Sequence, residues 1–385
     1  MKMKTRFAIM FAVIFTIIAS SSYYLGWNIT FWMDAAGINV HPAAFWIPYV
    51  IVAYGYLLGR TPLPGPLKSA SRLLKIIGAY YIFLMEIGLL LALVADVVGF
   101  VVGLMGHSVR EYAEVAGYVV WAVVVALLAL GTRNAWSPIV RTFDLDIAKK
   151  PQEGAPREWT IAVASDIHLG NVVGRKHLRR LVDRVNAMRP ELILLPGDVI
   201  DDSIEPFLRN RMAELLDELK STYGVYAVLG NHEYYGGHVE QYIEEMNRIG
   251  IRVMRDETAL VADALYVAGR KDKTAESADP EGRNPTASLL ADLDKSKPII
   301  LLDHQPTQFA EAAAAGADVL LSGHTHRGQF APNHLFTRRL FELDWGYMRK
   351  EAMHVVVSSG FGSWGPPIRI GSRSEIIRLN IRLIE

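Results

Sequence analysis

Charge is spread very unevenly along this 385-residue chain, and that constrains its fold more than any other feature. Up to Trp136 only fourteen side chains are charged, and beyond it sixty-six are. Four apolar stretches fill the first part: roughly Phe7–Gly26, Pro42–Leu58, Ile76–Met105 and Val115–Leu130. A bilayer span needs about 20 predominantly apolar residues. The first and third stretches reach that length. The second and fourth are shorter, but Trp46, Trp121 and Trp136 suit interfacial belts. Pro62, Pro64 and Pro66 cannot continue a helix and mark the loop between the second and third. The reading is an all-α transmembrane region of about four helices over 1–136, a linker over 137–158 and an α/β domain over 159–385. A cleaved signal peptide ending near Ala19 is the alternative for the first stretch. The spans that follow favour retention.

Basic residues in short loops orient such a region. Lys2, Lys4 and Arg6 precede the first stretch, and Trp27–His41 has no Lys or Arg. Arg60, Lys68, Arg72 and Lys75 lie in the next loop, Arg110 alone in the fourth, and Arg133, Arg141, Lys149 and Lys150 after the last. The alternation describes a multi-pass membrane protein with both termini, and the α/β domain, on the cytoplasmic side. Glu86 and Asp96 fall within the third stretch, where ionisable groups are costly. Polar contact between helices explains them more simply than an ion or headgroup site.

The formal net charge is zero, so no nucleic-acid partner is expected. The absence of cysteine excludes disulfides, thiolate zinc sites, iron–sulfur clusters and cysteine nucleophiles.

Beyond the linker, short apolar runs alternate with helical patterns. Expected strands are Thr160–Ala164, Leu192–Leu195, Val225–Leu229, Leu265–Ala268, Ile299–Leu302, Val319–Leu321, His354–Val357 and an alternating Glu375–Ile381. Expected helices are Arg175–Met188, Glu205–Leu219, His238–Ile249 and Thr307–Ala315. Several apolar runs stop at a polar cluster, and ligands collect at such strand ends in α/β sheets. Asp166, His168, Asp198, Asn231, His304, His324 and His326 are oxygen or imidazole donors. Together they suit two divalent ions of the zinc, manganese or iron type, with Asp198 able to bridge them. Gly197, Gly230 and Gly323 leave room for sharp turns beside them.

The ordered set Asp166-Ile-His168, Gly197-Asp198-Val-Ile-Asp201, Gly230-Asn231-His232-Glu233, His304 and Gly323-His324-Thr325-His326 resembles the signature of calcineurin-like metallophosphoesterases. Tyr234-Tyr235-Gly236-Gly237 and Gly360-Phe-Gly with Pro367-Ile368-Arg369 are further similar to the YkuE-like branch, whose members often carry N-terminal membrane segments. The resemblance implies a two-sheet β-sandwich flanked by helices. It implies one metal on Asp166, His168, Asp198 and His326, and another on Asp198, Asn231, His304 and His324. It implies His232 as the catalytic histidine, oriented by Asp201. Arg327 stands where that branch commonly has glycine, at the rim of the site, where it is a candidate for substrate phosphate.

The chemistry expected is hydrolysis of a phosphomonoester or phosphodiester by a metal-bridging hydroxide, with His232 able to protonate the leaving alkoxide or to steady the transition-state charge. The substrate would be a phosphorylated small molecule or a lipid-linked compound near the bilayer. Phe330–Lys350, aromatic and basic, reads as an interfacial patch or as a packed cap over the site. The alternative function is a membrane-anchored, non-catalytic binding scaffold or sensor on the same fold.

Overall fold

A computed structural model describes residues 3–59, 68–152, 154 and 156–384. Lys2, Arg60, Pro62, Pro64 and Pro66 lie outside the described residues. The chain forms two compact units, Met1–Leu130 and Gly131–Glu385.

In the first unit, three described helices are long and apolar enough to cross a bilayer: Ala12–Ala35, Lys68–Leu104 and Val109–Trp136, the last running on into the second unit. They mark the chain as a membrane protein. The Pro42–Leu58 stretch behaves differently. Tyr54, at φ −98° and ψ 4°, divides it into helices Pro42–Ala53 and Gly55–Leu58. In the Lys68–Leu104 helix Phe100 and Leu104 are 68% and 72% exposed, whereas Gly78, Ala79, Gly88 and Ala92 are buried together with Tyr81, Phe83 and Ile87. Small residues let helices approach closely, and large apolar side chains facing outward suit an apolar solvent. Asp96 accepts hydrogen bonds from Tyr24 and from Asn28 Nδ2 (3.3 Å), so it does make a contact between helices.

The second unit holds twelve strands among the described residues: β1 (Ile139–Ala148), β2 (Glu158–Val163), β3 (Leu192–Pro196), β4 (Val225–Val228), β5 (Ile251–Met254), β6 (Glu257–Val261), β7 (Leu265–Gly269), β8 (Ile299–Leu302), β9 (Val319–Ser322), β10 (Gly346–Lys350), β11 (Met353–Val357) and β12 (Glu375–Ile384). They form two six-stranded mixed sheets, ordered β1-β12-β2-β3-β4-β5 and β10-β11-β9-β8-β7-β6. The pleat sorts residues between layers. Ile161, Val163, Leu192 and Leu194 face the core between the sheets, against Val267, Ile300, Leu302 and Leu321. Ala162, Ile193 and Leu195 face the other way, onto Leu178, Leu181 and Val185 of the Arg175–Ala187 helix. Burial on both faces explains why these parallel strands read as unbroken apolar runs.

Strands β5, β6 and β10 were not among those expected, and two further stretches depart from the sequence reading. Ile139–Ala148, expected within the linker, is edge strand β1, in parallel register with β12 from Ile139↔Glu375 to Ala148↔Ile384. Its outer face is half wet, so alternate residues are polar and no apolar run announces it. The helix expected over Glu205–Leu219 is two short helices, Glu205–Arg209 and Ala213–Leu216, because Arg211 adopts φ +50° between them.

Candidate metal centre

Five strand ends deliver the expected donors to one edge. The loop after β2 carries Asp166 and His168, and that after β3 carries Asp198. Asn231 and His232 open a helix after β4. His304 follows β8, and His324 and His326 follow β9. Asp166, His168, Asp198, His324 and His326 all adopt positive φ, between +49° and +71°. Non-glycine residues in this region are strained, and such strain gathers at functional sites. The glycines nearby serve close approach. A Cβ at Gly230 would overlap Asp198 Oδ1, and one at Gly323 would overlap Ser165 Oγ and Asp166 Oδ2.

The side chains converge as two clusters that meet at Asp198. In the first, His168 Nε2 lies 2.9 Å from His326 Nε2 and 3.8 Å from Asp198 Oδ2, with His326 Nε2 3.5 Å from Asp166 Oδ1. In the second, Asn231 Oδ1 lies 2.8 Å from His324 Nδ1 and 3.2 Å from His304 Nε2, and His304 Nε2 is 3.2 Å from Asp198 Oδ2. His304 Nδ1 donates to the Pro196 carbonyl at 2.8 Å, which aims Nε2 into the site; burial disfavours charge on this ring, but the Asp198 and Asp166 carboxylates outweigh burial and push it well above its ordinary pKa. Asp166, His168 and His326 fall within ligand distance of one another, as do Asp198, His304 and His324. So many acceptor atoms facing one another, buried, call for a cation between them. The donor set is that of a divalent transition metal.

Burial holds the His168 imidazole down at about 3 and that of His324 at about 4, so both rings keep their lone pairs at neutral pH. Burial also raises Asp166 to about 6, helped by the neighbouring Asp198 charge. Asp198 behaves oppositely. Burial opposes its charge, but His304 and the other imidazoles outweigh burial and keep the carboxylate ionised.

His232 sits beside these clusters, Nε2 4.0 Å from Asp198 Oδ2. Its Nδ1 lies 2.7 Å from Asp202 Oδ1 and 3.8 Å from Asp201 Oδ1. Asp202 thus stands nearer the ring than Asp201, the residue expected to orient it; two consecutive aspartates after a turn are not distinguishable from sequence alone. Burial disfavours the His232 charge, but Asp202, Asp198 and Asp201 together bring it to about 9. Arg327 is half-buried, donates to the Gly371 carbonyl and stacks over Trp345 at 4.0 Å.

Two supporting residues escaped the sequence reading, although both stood within motifs it used. Glu233 is buried, and its carboxylate accepts from the N–H groups of Asp198 (3.1 Å), Ile200 (3.0 Å) and Gly230 (2.7 Å), tying the β3 and β4 loops together. Arg369, given no role of its own by the sequence, is fully buried. It donates to the Ser359 and Gly362 carbonyls at 2.7 and 2.5 Å and approaches His326 Nδ1 at 3.2 Å.

The family described as calcineurin-like phosphoesterase matches residues 160–328. An "Uncharacterized metallophosphoesterase" of Aquifex aeolicus is 32% identical over 63% of this chain and 91% of its own length. A zebrafish "Transmembrane protein with metallophosphoesterase domain" is 33% identical over 68% of this chain, which spans 61% of that relative. "Uncharacterized metallophosphoesterase YkuE" of Bacillus subtilis is 29% identical over 57% of this chain and 77% of its own. With the sequence signature, the two-sheet fold and the donor clusters all in agreement, the chain belongs to the calcineurin-like metallophosphoesterase family.

Proposed function

We propose that this protein hydrolyses phosphate esters with a pair of divalent cations, acting on a substrate at or near the membrane. Convergence of Asp166, His168, Asp198, Asn231, His304, His324 and His326 on two adjoining points carries the reading. The first cation would be held by Asp166, His168, His326 and Asp198, the second by Asn231, His304, His324 and Asp198. When bound, such cations supply Lewis acidity to phosphoryl oxygens and lower the pKa of water.

The chain's own residues supply the rest. His232 holds a proton at Nε2, supported at Nδ1 by Asp202 and more distantly by Asp201, and can deliver it to the departing alkoxide. Tyr235 and Trp364, 66% and 49% exposed, place their rings 5.8 and 6.4 Å from that of His232. They offer apolar faces to the leaving group. Arg327, held by Trp345 and Gly371, meets substrate only if it releases those contacts.

The three apolar helices favour a substrate presented at the bilayer, a lipid-linked phosphate ester among them. The loop distribution of basic residues supports a cytoplasmic catalytic unit, which protease protection in inverted vesicles tests.

The function is tested with the full chain in detergent, loaded with manganese and offered bis-p-nitrophenyl phosphate. Turnover should require the metal and fall about 10²–10³-fold or more in Asp198→Asn and in His232→Ala. A preparation holding less than about one ion per chain and turning over nothing would identify a binding scaffold instead.

A further inference from the structure

We propose that the His334–Leu340 helix seats the catalytic unit on an anionic lipid surface. None of its residues is buried. Leu335, Phe336 and Leu340 are 55%, 65% and 76% exposed. At 3.6 residues per turn they spread over about 140° of the helix. Thr337 points the other way, donating to Asp344 Oδ2 at 2.6 Å. Arg339 stands among the apolar side chains and Arg338 at their edge, both exposed and without an ion pair among the described residues. A short helix with bare apolar side chains and unpaired arginines fits the boundary between acyl chains and anionic headgroups: the guanidinium groups meet phosphate while the apolar groups go deeper. An aqueous surface gives the apolar groups nothing. This chain carries its own membrane-spanning helices, so a bilayer is always at hand.

The helix is also tied to the site. Asp344, which accepts from Thr337, accepts through its carbonyl from Thr325 Oγ1, between His324 and His326. The Phe341 ring lies 6.1 Å from that of His324. A helix lying in the headgroup layer would thus set the donor clusters beside headgroup phosphate.

The chain has no cysteine, so one introduced thiol can be labelled alone. The full chain carrying Leu340→Cys with a nitroxide label would be placed in phosphatidylcholine nanodiscs, with and without phosphatidylglycerol. Glu244→Cys, exposed on the Val239–Arg248 helix, is the aqueous reference. With phosphatidylglycerol, the label at 340 should relax with oxygen and be shielded from a water-soluble nickel complex several-fold more than the label at 244. Adding Arg338→Glu and Arg339→Glu should return it to water. Equal nickel access at both positions in both lipids overturns the proposal. So does a label at 340 shielded from both probes whatever the lipid, since protein then covers the helix. The readout needs no turnover, so failure of the hydrolase reading would leave this result intact.

Discussion

The two donor clusters share Asp198 yet are built differently. Asp166, His168 and His326 are sealed. The Phe361 and Gly362 N–H groups grip the Ser165 and Asp166 carbonyls at 2.9 and 2.7 Å, and Arg369 closes the back of His326. Asn231, His304 and His324 form a more open cluster. One donor is a neutral amide, and His324 is only half-buried beside the Phe341 ring. A sealed cluster backed by a guanidinium depends on its surroundings to keep its shape. An open one depends on its own donors. The first should therefore hold its ion with slow exchange, and the second should trade ion and substrate more freely.

Removing one donor from each side is the strongest test of that contrast. His326→Ala and His324→Ala should each lower manganese-dependent turnover by roughly 10²–10³-fold and retain about one ion per chain by elemental analysis. Loss of both ions from either variant would make the clusters one cooperative cage. Next comes the wall of the sealed cluster. Arg369→Met leaves the Ser359 and Gly362 carbonyls without their donor, a loss of about 2–4 kcal/mol in denaturant unfolding. An unchanged midpoint would show that the wall is not structural.

A third test uses pH. His177 stacks on Phe361 at 4.3 Å, and burial holds its imidazole down at about 4. Its folded pKa lies below the ordinary value of 6.5, so its contribution is fully present above that value. It is lost as pH falls from 6.5 towards 4, by at most about 3 kcal/mol. His177→Gln should flatten the acid side of the stability profile over that window. An unaltered slope would remove His177 from the account. The smallest effect separates the paired acids. Asp202→Asn should lower kcat by about 10-fold, with little change in KM, and Asp201→Asn by less. The reverse order would make Asp201 the orienting acid.

The donors were legible because ligand chemistry restricts residue type. Few side chains can hold a cation, and each closed an apolar run that had to be a strand. The strands buried on both faces, β2, β3, β8 and β9, were legible for the same reason. What stayed hidden depends on partners distant in sequence. β1 has a wet face and makes sense only beside β12, more than two hundred residues later. β5, β6 and β10 are short and share turns with their neighbours, so no run isolates them. The structural role of Arg369 was hidden because nothing local says that the Ser359 and Gly362 carbonyls will close round it. Asp202 is set apart from Asp201 only by which carboxylate the turn aims at His232.

The placement of β12 between β1 and β2 has a consequence for biosynthesis. Until β12 leaves the ribosome, the first sheet has a gap where its second strand belongs, and two bare edges face it. A growing chain already tethered to the bilayer would wait in that state, open to pairing with a neighbour. Glu375, at the start of the missing strand, also receives the Ser359 N–H at 2.7 Å. The same late insertion that completes the sheet thus fixes the loop behind His326, so the sealed cluster takes its shape only once β12 is in place.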